Sequence, residues 1–572
     1  MSFRKSVHHE RRKRTTQEKR ITAHTWAQKK NRHMKLCNLF YGVMLTCCIE
    51  AQAQDRAIEM RADRTVIYPQ RMALQGDETL GDILSMYPDL MQDGFDNMLS
   101  DYNLRIDNVP VNSDYRIICQ QLKAKMISSI QICDNTGVAK GTSGLNRVID
   151  INLTKDSNGL SGRTGIEAGT DNLADAHATV RYSHKSTDLI ALSSYSYQDI
   201  DNTISQKQHL FAHMTNQLSP KDRLLTYFTQ QYTNTRMYLA DGARAKTQNE
   251  KCLARARYFH KFNDKGTELL LVGSYQYSNS PYTMRLPDEE ATDGPENSTG
   301  MYIIELNTPL TKQLTMMAGA EGDFTYSNYK TGTAPRPTYM SSNNDLYLQF
   351  NYLTGTWRFT LGDRLMFFHY SSSGMKHDVT RTNIEVSAVK SIASHSQVQA
   401  AYHRKFFSMP FTISESLTPS YWTQIKSELQ TEYIDEAKIA YTYTRSRFNA
   451  SLAAYYQMMD HDDNICRIHA SAYYKTGIVS MTAGANLYFV EGSGNDMATF
   501  HFNPRISLPC QMKIGLQSIF ATGDRQLPRD EDVYLAAQLS KQFGAHWNTA
   551  IEWHDISSRH YSACMATLQY VF

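Results

Sequence analysis

Residues 561–572 read YSACMATLQYVF. Cys564, Ala566, Leu568, Tyr570 and Phe572 occupy every second position, which places them on one face of an extended strand. That face is apolar and ends on an aromatic residue. The same grammar runs back through the chain. Within residues 267–277, Leu269, Leu271, Gly273, Tyr275 and Tyr277 share a face. Leu346, Leu348, Phe350 and Tyr352 alternate with Tyr347, Gln349 and Asn351. Ile439, Tyr441 and Tyr443 alternate with Lys438, Ala440, Thr442 and Thr444. From about residue 160 onward the sequence therefore predicts strand after strand, each with one apolar side.

In water such strands build a sandwich or a propeller. In lipid they build a membrane barrel. The mean hydropathy of −0.50 argues against membrane helices but not against a barrel, where only alternate residues face lipid. Three features select the barrel. The first is an export signal. Residues 35–53 read KLCNLFYGVMLTCCIEAQA, with a charge at Lys35, an apolar run too short to span a bilayer, and a small-x-small cleavage site at Ala51-Gln52-Ala53. Met34 begins a complete signal by itself, and residues 1–33, with the basic run Arg11-Arg12-Lys13-Arg14, read as an overlong leader. Leu45-Thr46-Cys47-Cys48 departs from a lipidation box. The second feature is the alternation of tight turns with long polar connections. Thr354-Gly355-Thr356 and Asn263-Asp264-Lys265-Gly266 are turns, and residues 286–300, LPDEEATDGPENSTG, read as a long loop. The third is the terminal strand, which resembles the signal read by the outer-membrane barrel assembly machinery, with Leu568, Tyr570 and Phe572 carrying it.

About 22 strand-like segments lie between residues 161 and 572, leaving about 19 residues for each strand and its connection. A transmembrane strand needs about 9–11. A barrel of that size encloses a lumen wide enough to need a filling. The preceding segment supplies one. Residues 79–88, TLGDILSMYP, read as a short helix stopped by Pro88. Residues 104–111, LRIDNVPV, read as a hairpin turning at Asp107-Asn108, residues 114–123 as a helix start, and residues 129–133 and 148–155 as strands around a turn at Gly141–Gly144.

This order resembles the plug domain of TonB-dependent outer-membrane receptors, in their compact Bacteroidota-type form. The opening Arg64-Thr65-Val66-Ile67-Tyr68-Pro69, the R-x-D-x-V-P-V run containing Arg105, Asp107 and Pro110, the strand Ser129–Ile132, and the closing stretch from Gly144 to Lys155 carry the resemblance. So do residues 429–444, late in the barrel. Asn108 stands where the family has a turn glycine, and Gly144 is one glycine where the family has a pair. The resemblance implies a transmembrane antiparallel β-barrel of about 22 strands with an N-terminal α+β plug domain in the lumen. It divides the chain into a basic extension and signal (1–53), a periplasmic segment (54–64), the plug (65–158) and the barrel (159–572). It implies outer-membrane uptake of a small nutrient or metal chelate, with the lipid bilayer, the assembly machinery, a small-molecule ligand and the energy-transducing protein TonB as partners. Ala57, Ile58, Glu59 and Met60 are the candidate TonB contact. The alternative is a non-energised barrel acting as an adhesin, a docking platform or an assembly component.

The remaining constellations read more plainly. Asp460-His461-Asp462-Asp463, and Asp288-Glu289-Glu290 with Asp293 and Glu296, carry cation-binding groups, yet charged loop tips account for them. Nine cysteines contain no C-x-x-C pair, so no zinc site is expected. Cys119 and Cys133 are close enough in sequence to bridge, and two small buried side chains are the simpler reading. Sixty basic against 57 acidic residues leave no charge excess for nucleic acid. No nucleophile elbow, P-loop, H-E-x-x-H or Gly-rich dinucleotide turn is present. Neither enzyme activity, a cofactor nor a metal is expected. Tyr outnumbers Phe, 35 to 22, as suits a ring at the membrane interface.

Overall fold

The computed structural model describes residues 58–60, 64–72, 78–84, 102–107, 109–110, 118–119, 122–133 and 147–154, and then 159–571 apart from 171, 201, 239–242, 286–289, 330–337, 373–374, 394, 409–430, 446, 460–463, 492–495, 523–532, 545, 555 and 557–562. The signal segment, Ala57, Gly141, Gly144, Lys155, Phe572 and Asp460–Asp463 lie outside these residues.

Alternation becomes wall. From Gly159–Gly169 to Ala563–Val571, 24 strands follow one another. Two of them, Tyr282–Arg285 and Glu290–Asp293, form a hairpin that pairs alongside the first four residues of the strand Arg244–Lys261, while its flanking strands pair directly. That leaves 22 strands (24 − 2) in a closed antiparallel barrel. The last strand closes on the first, from Met565↔Gly169 to Val571↔Arg163. Closure leaves no open edge in the wall, so its backbone groups are satisfied between strands.

The faces separate as the pattern requires. Leu346, Leu348, Ile439, Leu210 and Phe228 point outward and are exposed. Ile439 is 66% exposed, which no aqueous sheet tolerates in quantity and a lipid-facing one needs. Rings gather near the short-turn end, where Trp357 stacks on Phe359 at 5.5 Å and where Tyr352 and, on other strands, Phe543 and Trp547 are exposed. Amphipathic and aromatic side chains belong at such an interface. Tight turns terminate the strands there. Gly355 takes φ +55° in the two-residue turn between Thr354 and Trp357, a conformation that costs glycine little.

Residues 286–300 are not the long loop expected. Glu290–Asp293 is half of that hairpin, and Pro295–Pro309 is a wall strand. Asn297, Ser298 and Thr299 pair with Ser278, Tyr277 and Gln276. Strands of up to 19 residues exceed what the bilayer needs. Their outer ends stand in water, where polar residues pair as well as apolar ones. Polarity alone therefore misplaced the boundary.

The inner face is polar and ion-paired. Arg364 is fully buried; its Nε donates to Asp345 at 2.7 Å and its Nη2 to Glu321 at 2.6 Å. The Tyr347 ring lies across Gly319, where any Cβ would collide with it, and its hydroxyl donates to Glu305 at 2.8 Å. Removing Arg364 would strand two buried carboxylates. Arg364→Met is expected to destabilise the barrel by about 3–5 kcal/mol, read as an earlier loss of the compact, heat-modifiable gel band. Ile439→Arg should cost about 2–4 kcal/mol in lipid and nothing comparable in an aqueous sheet, so its folding in bilayers tests the outward assignment.

Candidate functional site: the seam between inner sheet and wall

A six-stranded sheet precedes the wall: β1 (Ile58–Met60), β2 (Thr65–Ile67), β3 (Tyr102–Ile106), β4 (Val109–Pro110), β5 (Ile127–Cys133) and β6 (Arg147–Leu153). Its order is β1-β2-β5-β6-β3-β4, with β3 and β6 parallel and the other pairs antiparallel. β3 and β4 form the hairpin expected around Asp107, with Ile106↔Val109 paired and Asp107 at φ +49°. Aspartate tolerates that conformation better than most residues. The short helix Leu80–Leu84 covers the sheet, tied to the Leu122 carbonyl by the Leu80 N–H at 2.6 Å. Cys119 is buried and unbridged.

The sheet lies inside the barrel. Its core residues Ile67, Leu80, Ile83, Leu104, Ile130 and Ile151 belong to one apolar cluster with Ile190, Leu192, Phe211, Tyr227 and Leu253 of the wall. Those wall residues alternate with outward positions such as Leu210 and Phe228, so they face inward. All five belong to four neighbouring strands between Thr187 and Lys261. Among the described residues, the apolar contact thus lies on one side of the lumen.

Polar bonds frame that contact, and Asp107 is their centre. Its backbone N–H donates to the Ile151 carbonyl at 2.8 Å, and its Oδ1 accepts from the Leu153 N–H at 3.1 Å. From the wall, the Arg257 guanidinium donates to the Asp107 carbonyl at 2.6 Å, and His213 Nδ1 stands 4.0 Å from Asp107 Oδ2. Arg181 donates to the Thr154 carbonyl at 2.5 Å while paired with Asp188 at 2.6 Å. A cavity of about 460 Å³ opens beside these groups, with Asp107, Leu153, Asp188, Arg223 and Phe259 among its lining. Burial in this seam pushes the Asp107 carboxyl up to about 6, against the pull of the Leu153 N–H and of Arg223 and Arg257.

The candidate TonB contact is placed at the sheet's edge. Ile58, Glu59 and Met60 pair with Ile67, Val66 and Thr65. Glu59 accepts from the Tyr68 hydroxyl at 3.2 Å and pairs with Arg358 of the wall at 2.5 Å. Arg358 follows the Gly355 turn, so β1 sits toward the short-turn end. Arg105 pairs in register with Pro110 on one side and Asp150 on the other. Leu568 and Tyr570 lie in the closing strand. Glu296, from the suspected cation cluster, accepts from the Tyr277 hydroxyl at 3.1 Å, and no metal-binding group is found among the described residues. The wall's grip on Asp107 was missed from sequence, although residues 254–258, ARARY, carry its signal: arginines at alternate positions of a strand whose other face is apolar.

No protein-family model matches the chain, and no curated protein matches it by sequence. Solved structures do match. The ferripyoverdine receptor of the outer membrane of Pseudomonas aeruginosa superposes with a TM-score of 0.66 at 11% identity, over 90% of this chain and 83% of that one. The alcaligin receptor of Bordetella pertussis gives 0.67 at 13%, over 90% and 95%. The FrpB iron transporter of Neisseria meningitidis gives 0.66 at 11%, over 91% and 100%. The chain has the fold of the TonB-dependent outer-membrane receptors. Identity this low leaves the seam to be judged on its own residues.

The Asp107 carboxyl contributes a pH dependence of definite sign. A carboxyl raised in the folded state favours folding when protonated, so its stabilisation is present at low pH and is lost as pH rises through about 6. Relative to Asp107→Asn, the wild-type inner-sheet amides should gain about 1.4 kcal/mol of opening free energy at pH 5 over pH 7.5. Asp107→Asn keeps the Oδ1 acceptor and should flatten that difference.

Proposed function

We propose that the chain is an outer-membrane receptor that takes up a small ligand, a metal chelate being the class its structural neighbours favour, and that the inner sheet is its plug. One observation carries the reading: a folded sheet occupies the lumen of a closed 22-strand wall. A barrel of that size without a filling would be an open pore. A receptor needs the filling to shut the pore at rest and to yield on demand.

β1 is the element on which such a demand acts. It is an edge strand of three residues, and an edge strand accepts a further strand from a partner. We assign the TonB contact to Ala57–Met60 on this ground. A pull transmitted through β1 meets the Glu59–Arg358 pair first and the β1–β2 ladder next. The plug motif around Arg105, Asp107 and Pro110 then has a mechanical role, since it holds the hairpin that the wall grips. Ligand capture falls to the connections at the end opposite the short turns, and lumen-facing polar residues line the way inward.

A second reading has one observation in its favour. β1 is already paired with β2 and ion-paired to the wall, as in a plug that never moves. Capture by the TonB C-terminal domain decides between them. In a pull-down with the immobilised TonB C-terminal domain, capture is expected for the intact chain, and removal of residues 54–64 should reduce it to background. Equal capture with and without the segment would establish the non-energised barrel. Arg358→Gln should raise capture severalfold by removing the tie between Glu59 and the wall.

A further inference from the structure

Lipid on one side demands apolar residues at alternate positions, and one position breaks that rule. On the strand Trp357–Ser372 the outward residues run Trp357, Phe359, Leu361, Asp363, Leu365 and Phe367. The stretch from Trp357 to Phe367 has the length of a transmembrane strand, about 9–11 residues. Asp363 stands at its middle and is exposed. Its cross-strand neighbours are Leu348 and Ile384. The Thr382 hydroxyl donates to its Oδ1, and among the described residues no cation pairs with it. A carboxylate that faces hydrocarbon with one neutral donor is costly. A cation brought by a neighbouring molecule would remove that cost.

The same row of the ladder carries such a cation. Asp363 pairs with Ile384, Ile384 with Arg404, and Arg404 with Asp435. Residues directly across a ladder share a face, so Arg404 points outward two strands from Asp363. Its Nε and Nη2 donate to Asp435 at 2.8 and 2.7 Å, and 42% of its side chain stays exposed. A guanidinium has five donors and can serve two carboxylates. Arg364 does so inside the wall, between Asp345 and Glu321.

An anion and a cation in one row make the face self-complementary. A twofold axis along the membrane normal keeps height and exchanges left for right. Passed beside Ile384, it sets Asp363 of one copy against Arg404 of the other, twice. With strands about 4.8 Å apart and tilted by about 40°, Arg404 stands roughly 6 Å farther from the short-turn end than Asp363. An extended arginine side chain covers that step.

We propose that the chain forms a twofold dimer in the membrane through the wall between Thr338 and Arg445, with Asp363 of each copy accepting from Arg404 of the other. The rest of the contact exchanges lipid for Leu348, Leu361, Leu365 and Val386 of the second copy. Apolar surface gains little from such an exchange in hydrocarbon, so the two ion pairs decide the association. The dimer does not depend on what the lumen carries.

Ile384 lies beside the axis and reports on it. The full-length variant Ile384→Cys, in outer membranes, is treated with a short bis-maleimide. Residues 338–445 contain no cysteine. A crosslinked band at twice the mass of the chain is expected. Leu210→Cys, equally outward but on the strand Thr203–Gln217, should give no such band. Added to Ile384→Cys, either Asp363→Leu or Arg404→Gln should reduce the band to the Leu210→Cys level. Asp363→Leu leaves an ordinary lipid-facing surface, so its monomer folds, which heat-modifiable mobility verifies for each variant. No band from folded Ile384→Cys, a band that persists in either folded double variant, or a crosslink to a different protein overturns the proposal.

Discussion

A peptide group in hydrocarbon has no water to bond, so every wall strand here must find both neighbours. The pairing of Ala563–Val571 with Gly159–Gly169 meets that requirement by turning a sheet into a closed surface. Much else in the structure follows from it. Closure with an even number of strands brings both ends of the wall to the short-turn side. It fixes which face of each strand meets lipid, because register and alternation leave no further freedom. It also creates a lumen too wide for the wall's own side chains to fill.

The lumen is therefore a second problem, and the chain solves it with two kinds of contact. Along the wall itself, charges are kept inside by pairing, as Arg364 is between Glu321 and Asp345. Between wall and inner sheet, the contacts divide by side. Ile190, Leu192, Phe211, Tyr227 and Leu253 meet the sheet's core. Arg257 and Arg181 add polar bonds beside that cluster, and among the described residues polar groups also meet on other strands: Glu59 pairs with Arg358, and Lys123 shares a cavity lining with Arg505 and Lys513.

Much of this was legible in the sequence, and for a physical reason. Period-2 alternation is imposed on every wall strand by lipid on one side, so Leu346, Leu348 and Ile439 announce their facing in the one-dimensional order. The Asp107 hairpin was legible because a two-residue turn leaves a local signature in polar residues between strand formers. The limits of strands beyond the membrane were not. Once a strand leaves lipid its alternation carries no burial contrast, and residues 295–300 look like a loop while pairing as a strand. The seam was hidden for another reason. Glu59 and Arg358, or Asp107 and Arg257, are about 300 and 150 residues apart, and no local pattern joins them. Only the closed wall brings them together, leaving the alternating arginines at 255 and 257 as a partial hint.

The division of the seam has an energetic consequence. Separating an apolar contact exposes area to water at about 25 cal/mol per Å², with no compensating bond. Separating a polar contact trades protein hydrogen bonds for bonds to water and comes near to balance. The two sides of the inner sheet thus differ in what it costs to part them, even where their contact areas are alike. β1 lies at one end of the sheet order, whereas the Asp107 hairpin, which Arg257 holds, lies at the other end. A force applied at β1 therefore meets the Glu59–Arg358 pair, a single exchangeable contact, long before it reaches the apolar grip on the wall between Thr187 and Lys261. Under the pull proposed above, the sheet loosens from the β1 edge inward, with the hairpin side the last to give way.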